Sequence, residues 1–479
     1  MGIILLSRIF KVALILFFLS SFLLFLFIGI KKPFWLDELY TIQIIENDNP
    51  VEIFSKLFEG SDTNAPLYFI VLKIYTYFFG DSVVSLKLFS TIFIILSILL
   101  LYYFLKRIDL EFFDKFIIIY FFFISQVVST YLLVEVRTYS FNLFLIVLFV
   151  VVFFDDSIKP KKNTLLILSL VTASLLYTHY FNLYFILVFL LFELLSRKRK
   201  NVAFSIIIGM FFFSPWLISV YLQFKIGQGL VHHSVPNIYT IFNQYLFLVG
   251  KGGLLIIFIL LVIILLYYKK VKMSQELLLS ISILILPLVN ILLSIIGLSV
   301  HSNRYFTFSL IGFIFLLTDV FRNYGIPTYF KGLILFFLLA VTINRANFYY
   351  DITIAQNQTI ANYLEFIGND KIVIAESPHL AYPLAFYSAN INIYFVLDSL
   401  SSFATGNIKN APYDYLLIRN YLNYYELPFI MNYQEFLQKD SSFIMIDEND
   451  RKFFEVRIKD NPQYNIKYFG DNLISVEKK

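Results

Sequence analysis

Runs of about 20 mostly apolar residues recur along three quarters of this chain, and that recurrence constrains the fold more than any motif does. A bilayer offers no water to backbone N–H and C=O groups, so each such run has to satisfy them internally, as a helix. Candidate spans lie at 8–30, 82–105, 115–133, 138–154, 163–178, 181–196, 202–220, 243–268, 276–298, 305–321 and 329–345. They predict a polytopic α-helical membrane protein with about eleven transmembrane helices. Composition agrees: 59% of residues are hydrophobic, 15% are charged and the mean hydropathy is +0.75, outside the range of soluble domains. Arg8 and Lys11 precede a first run too long for a signal-peptide core and with no small-residue cleavage site, which predicts a retained anchor.

The placement of charge gives orientation. Alternating the spans from a cytoplasmic N-terminus puts inside Lys106-Arg107 with Lys115, Lys159 to Lys162, Arg197 to Lys200, Lys269-Lys270 with Lys272, and Arg322 with Lys331. All dense basic clusters then share one side, as the positive-inside rule requires. The formal charge of +5 is accounted for by topology, so no nucleic-acid partner is implied. The apolar segment 64–79 is short, contains Lys73 and ends at Gly80-Asp81; counted as a span it would invert every later loop. It is expected to lie along the outer surface as an amphipathic helix. With zero cysteines, disulfides, thiolate metal sites and cysteine nucleophiles are excluded.

Two domains are expected. Residues 1–346 form the transmembrane part, with an outer loop at 31–81, and beyond them the long apolar runs stop. Residues 347–479 alternate short β-rich stretches (371–375, 391–397, 413–418, 443–446, 466–476) with amphipathic ones (353–367, 379–388, 431–438), which predicts a small extracytoplasmic α/β domain joined near Asn344 to Asp351. No G-x-G-x-x-G turn or other phosphate loop is present, so a nucleotide site has no support.

Sidedness gathers the polar residues that chemistry needs on the outer face. Asp37 and Glu38, in Phe34-Trp35-Leu36-Asp37-Glu38, are adjacent carboxylates just beyond the first span. Read as structure, they solvate a helix end and cap the next one; read as chemistry, on a non-helical segment, one accepts a nucleophile's proton while the other positions an acceptor or a metal. The same loop supplies Asn64-Ala65-Pro66-Leu67-Tyr68, whose proline fixes a turn. Glu135-Val136-Arg137-Thr138-Tyr139 stands at the outer end of two spans, and Asn303-Arg304-Tyr305 repeats an arginine beside a tyrosine. Arg137 either snorkels or pairs with Glu135, or else grips a phosphate through charge-assisted hydrogen bonds. In Tyr177-Thr178-His179-Tyr180-Phe181 a lone histidine sits in a tight outer turn, where an interfacial role is the ordinary one. His232-His233 and His301 complete the outer polar set, but no H-x-x-x-H spacing supports a metal centre; a divalent metal is compatible with the acids and not required by them.

The order of these motifs resembles the GT-C superfamily of membrane glycosyltransferases, of the protein O-mannosyltransferase and lipid A aminoarabinose transferase type (glycosyltransferase family 39). The resemblance is carried by a Trp-x-Asp-Glu loop after the first span, a Pro-Leu-Tyr helix ending in Phe-Gly-Asp, then Glu-x-Arg-x-Tyr, His-Tyr-Phe and Arg-Tyr, over residues 1–345. Where that family often has paired prolines, this chain has Ala65-Pro66. The resemblance implies a GT-C-like fold in the plasma membrane and transfer of a sugar from a polyprenyl-phosphate donor to a protein, glycolipid or cell-surface glycan. It implies Asp37 as the base or acceptor-positioning acid with Glu38 as its partner, and Arg137 and Arg304 as donor-phosphate ligands. Asn64, Glu135, Tyr139, His179, Tyr180 and Tyr305 are the expected substrate contacts. A transporter or flippase of lipid-linked saccharides is the main alternative, and it would place polar residues at mid-span, where these spans read as clean. A non-catalytic assembly protein, acting through residues 347–479, is the third.

Overall fold

In the computed structural model, the apolar runs fold as helices. The structure describes residues 2–46, 48–155, 161–196, 199–227, 236–266, 274–295, 302–324, 326–367, 372–375, 378–388, 392–397, 421–425, 427, 430–432, 442–446, 464–468 and 473–478. His232, His233, His301, Lys159, Arg197, Lys198, Lys269, Lys270, Lys272 and the expected strand at 413–418 lie outside them. The chain forms two compact units, one of Met1–Lys31, Asn64–Ile218 and His233–Asp351, the other of Lys32–Thr63, Ser219–His232 and Ile352–Lys479.

The first unit is helical and membrane-embedded. Among the described residues, six helical stretches are long and apolar enough to cross a bilayer: Arg8–Lys31, Val83–Arg107, Lys200–Lys225, Ile238–Phe258, Gln275–Leu292 and Thr328–Glu365. Shorter apolar helices occupy Leu67–Phe79, Thr138–Phe153, Lys162–Leu176 and Asn182–Ser196. Basic residues read above as orientation signals also tie helix ends together: Arg107 pairs with Asp155, Arg199 with Glu193, Arg322 with Glu276 at 2.8 Å, and Lys331 with Asp114 at 2.7 Å. Helix Thr138–Phe153 thus has Asp155 in an ion pair beyond one end and Arg137 just before the other.

Three expectations need correction here. The run at 115–133 is not one helix: Phe112–Ile124 stops at Ser125, whose hydroxyl bonds back to Phe122 O at 2.7 Å, and a π-helical turn, Val127–Leu132, follows. The helix Ile238–Leu266 is kinked at Gly250 (φ 73°, ψ 169°), a left-handed conformation open to glycine. The spans are also less clean than they read. Lys87, only 1% exposed, donates from Nζ to Gly29 O at 3.1 Å and Ile30 O at 3.0 Å, capping the carbonyl end of the first helix.

The second unit contains a sheet. Among the described residues, strands β1 (Ile372–Ala375), β2 (Ile393–Leu397), β3 (Ile430–Asn432), β4 (Phe443–Ile446), β5 (Tyr464–Tyr468) and β6 (Leu473–Lys478) are ordered β3-β2-β1-β4-β6-β5. The β3-β2-β1-β4 portion is parallel, and β6 and β5 add antiparallel. One face buries Ile374, Val396, Met431, Met445 and Val476; the other buries Val373, Ile393 and Ile446 against Leu384 of helix Pro378–Tyr387 and against Ile360, Tyr363 and Leu364. The run expected as one strand at 466–476 is a pair of antiparallel strands, and Met431, expected in a helix, lies in β3 with its side chain in the sheet core. The division between the units falls at Asp351–Ile352, at the edge of the join expected near Asn344 to Asp351, and it falls inside helix Thr328–Ile367, which is unbroken because nothing after Gly332 in it is glycine or proline.

Residues 32–63 belong to this second unit. Tyr387 accepts a hydrogen bond from Phe34 N at 2.8 Å, Tyr382 donates to Gln43 Oε1 at 2.9 Å, and the Tyr421 hydroxyl donates to Asp62.

Candidate functional site

In the helical unit, the segment after the π turn is fixed from below by its neighbour helix. Ser90 donates to Glu135 O at 2.5 Å and Thr91 to Leu133 O at 2.7 Å, so Val83–Arg107 holds the turn and loop residues 133–137 through two of their carbonyls. Arg137 then takes the N-cap position of helix Thr138–Phe153 (φ −136°, ψ 163°), which directs the chain back into the apolar layer. Glu135 is 2% exposed and Arg137 9%.

Two other segments converge on this one. Arg304 Nη2 lies 3.7 Å from Glu135 Oε1, and its guanidinium stands 5.9 Å from the centre of the Tyr131 ring. His179 sits in the turn between Lys162–Leu176 and Asn182–Ser196, held by its backbone N–H to Leu175 O at 3.0 Å. Asn182 steadies the turn by donating to Asn142 Oδ1 at 2.6 Å and Leu175 O at 2.8 Å. The imidazole packs among Tyr139 (5.7 Å between ring centres), Tyr305 (5.3 Å) and Phe181 (5.8 Å), and among the described residues its Nδ1 is buried without a hydrogen-bond partner. Burial, with the Arg137 charge as a second cause, pushes the His179 pKa down to about 4, so the ring is neutral at pH 7.

Six of the expected residues, Glu135, Arg137, Tyr139, His179, Arg304 and Tyr305, are therefore brought together. The result is a patch, buried at Glu135, Arg137, Tyr139 and His179 and half-buried at Arg304 and Tyr305, with two guanidiniums, one carboxylate, a neutral imidazole and aromatic faces. Chemically it suits an anion carrying a polar, ring-shaped substituent: arginines for the charge, aromatic faces and a neutral imidazole for the rest. Tyr180 has its hydroxyl engaged by Trp216 Nε1 at 2.8 Å. Asn64 precedes helix Leu67–Phe79, whose start is fixed by Leu67 N donating to Tyr177 O at 3.0 Å.

Asp37 and Glu38 lie in the second unit. Contrary to the expectation of a non-helical segment, they occupy the first turn of helix Leu36–Glu46, where negative charge complements the unpaired N–H groups of the helix start. Glu38 Oε2 reaches back to Trp35 N at 3.1 Å, the carboxylate half of a capping box, so it performs the structural role foreseen for one of the pair. Asp37 remains half-buried at the second position. Nearby in the same unit, Tyr421 (1% exposed) bonds Asp62 (7%), Tyr40 packs on Tyr421 at 4.6 Å, and Ser61 bonds the Tyr425 hydroxyl at 3.2 Å. Burial first, then the Asp62 carboxylate, pushes the Tyr421 hydroxyl well above its ordinary range, which keeps it a donor. The sequence reading missed these tyrosines and Gln126, which bonds the Tyr131 hydroxyl. No group of three His, Asp or Glu side chains able to hold a metal ion occurs among the described residues.

The fold is shared with solved structures. ArnT from Cupriavidus metallidurans in the apo state matches with a TM-score of 0.56 at 10% identity, over 96% of this chain and 97% of that one. The same protein bound to undecaprenyl phosphate matches with a TM-score of 0.56 at 11% identity, over the same shares. At that identity the likeness is one of fold. No protein-family model matches the sequence, and no curated protein matches it.

Proposed function

We propose that the protein is an integral membrane glycosyltransferase that moves a sugar from a polyprenyl-phosphate donor to an acceptor on the extracytoplasmic face of the plasma membrane. The observation that carries this reading is the pairing of Arg304 with Glu135 beside a neutral His179 that faces Tyr139, Tyr305 and the Arg137 charge, in a fold shared with a protein solved with undecaprenyl phosphate. In this reading the N-terminus is cytoplasmic, the unit built on the sheet is outside, and the lipid tail lies between helices.

Arg137 and Arg304 bind the donor phosphate, with Glu135 orienting Arg304. Tyr139, His179 and Tyr305 contact the sugar, with Asn64 and Tyr180 at its margin. An acceptor oxygen forms the new bond to the anomeric carbon, the bond from that carbon to the phosphate oxygen breaks, and its electron pair leaves on polyprenyl phosphate. On the resemblance alone, Asp37 is the residue that takes the acceptor's proton, with Glu38, which closes the helix start beside it, as its partner. A donor already activated by phosphate removes the need for a nucleotide loop.

The test is mass spectrometry of lipid-linked sugars and surface glycans in cells with and without the gene. Loss of the gene is expected to accumulate a polyprenyl-phosphate sugar and to remove one residue from a glycan or glycoprotein. Unchanged glycans refute the reading, and a lipid-linked sugar trapped on the cytoplasmic leaflet indicates a flippase instead.

A further inference from the structure

Arg345 is 8% exposed within helix Thr328–Ile367, and nothing in the reaction above uses it. A guanidinium among membrane helices is costly unless its donors are satisfied, and such residues repay attention to their partners. Here Nη1 donates to Ile124 O and Nη2 to Val249 O, the latter at 3.2 Å. Neither carbonyl has an ordinary helical environment. Ile124 is the last residue of Phe112–Ile124, before the break at Ser125, and Val249 immediately precedes the left-handed Gly250. One arginine therefore satisfies acceptors at two separate helix breaks, which lysine, with a single nitrogen, is poorly shaped to do.

Gly250 is part of the same construction. A Cβ added there would collide with the Arg345 guanidinium and lie 3.1 Å from Gln126 Oε1. Gln126 bonds the Tyr131 hydroxyl, the Tyr131 ring lies 5.9 Å from the Arg304 guanidinium, and Arg304 pairs with Glu135. Arg345 thus holds the chain at Ile124, directly before the π turn Val127–Leu132, and that turn carries Tyr131 and leads to Glu135, the two residues that face Arg304. Single π turns recur at functional sites because they displace the residues that follow.

We propose that Arg345 is a positioning residue for the polyprenyl-phosphate site: clamped between the breaks at Ile124 and Gly250, it sets the π turn and hence the placement of Arg304 and Arg137. This rests on the reading of those two arginines as phosphate ligands. Arg345 need not touch the donor.

The test measures undecaprenyl phosphate affinity in lipid nanodiscs for the wild-type chain and for Arg304→Ala, Arg345→Ala, Arg345→Lys and Gly250→Ala, together with the unfolding temperature of each. Gly250→Ala keeps the arginine but evicts its head, so it is expected to weaken binding about tenfold, as Arg345→Ala does. The double variant Gly250→Ala/Arg345→Ala keeps the strain of alanine at a positive φ but has no guanidinium left to evict, so its loss of affinity is expected to fall short of the product of the two single losses. If Arg345→Ala fails to fold, Arg345→Lys and Gly250→Ala carry the comparison, with the same loss expected. Folded variants that bind as the wild type does, while Arg304→Ala does not, overturn the proposal. Likewise, a loss of unfolding temperature without a change in affinity reduces Arg345 to a structural tie. Failure of the wild-type chain to bind at all refutes the phosphate reading itself.

Discussion

Replacing His179 with glutamine is expected to remove a pH dependence of stability that the native chain carries. The imidazole is 8% exposed, and burial together with Arg137 lowers its pKa from 6.5 to about 4. The unfolded chain takes up a proton near the ordinary value, whereas the folded chain refuses it until about 4. Stability from this group is therefore full above the unfolded value, falls as pH drops through the window between the two, and levels off below the folded value. The size follows from the shift of 6.5 − 4 = 2.5 units. At roughly 1.36 kcal/mol per unit, the window is worth about 3 kcal/mol. The assay is unfolding of both proteins in the same detergent between about pH 7.5 and pH 4, taken as the difference between the two curves; carboxylates common to both cancel in it. The wild-type protein is expected to lose about 3 kcal/mol relative to His179→Gln across that range. Parallel curves would refute the inference that His179 is buried and neutral, and with it the neutral-imidazole role in the site.

Two further pairs of substitutions test the packing of the separate units. In the sheet-bearing unit, Tyr421→Phe leaves the buried Asp62 carboxylate short of a donor and is expected to destabilise by about 1–3 kcal/mol, partly restored by Asp62→Asn; chemical unfolding of both variants measures it. In the helical unit, a Cβ at Gly209 would lie 2.5 Å from Thr172 Cβ, so Gly209→Ala is expected to cost about 1–3 kcal/mol of stability, whereas Gly332→Ala, with open space around it inside a helix, is expected to stabilise by up to about 1 kcal/mol.

Much of the helical unit was legible because a membrane imposes one rule, backbone self-satisfaction, on every apolar run. What the runs did not show is where the helices are interrupted. Gly250 and Ser125 look innocuous in sequence, and their meaning depends on Arg345, 95 and 220 positions further along. The convergence of Glu135, His179 and Arg304 followed from placing their loops on one side, since loops at the same ends of a bundle are neighbours. Lys87 was hidden by its own helix: a lysine followed by 18 uncharged, mostly apolar residues does not disturb a hydropathy reading, yet its stem reaches two carbonyls at the end of the first helix. The second unit was harder, because its sheet joins segments far apart in sequence and its partners at 32–63 come from the other end of the chain. One signal there was readable: Asn49-Pro50-Val51-Glu52 is a capping box with proline at the first helical position, and helix Pro50–Glu59 follows it. The Asp37-Glu38 pair shows the limit of motif reading, since the capping role and the chemical role were assigned to the pair jointly, and only the bond from Trp35 N to Glu38 separates them.

That separation sets the most direct measurement of the central claim. Membranes containing the wild-type chain, Asp37→Asn or Glu38→Gln are supplied with polyprenyl-phosphate-linked sugars and an envelope extract as acceptor source, and release of free polyprenyl phosphate is followed together with transfer of the sugar. The wild-type chain is expected to do both, Asp37→Asn neither despite normal expression, and Glu38→Gln an intermediate amount, because its amide still caps the helix. Full transfer by Asp37→Asn would contradict the role of Asp37 in the reaction, and no donor consumption by the wild-type chain would contradict the glycosyltransferase reading as a whole.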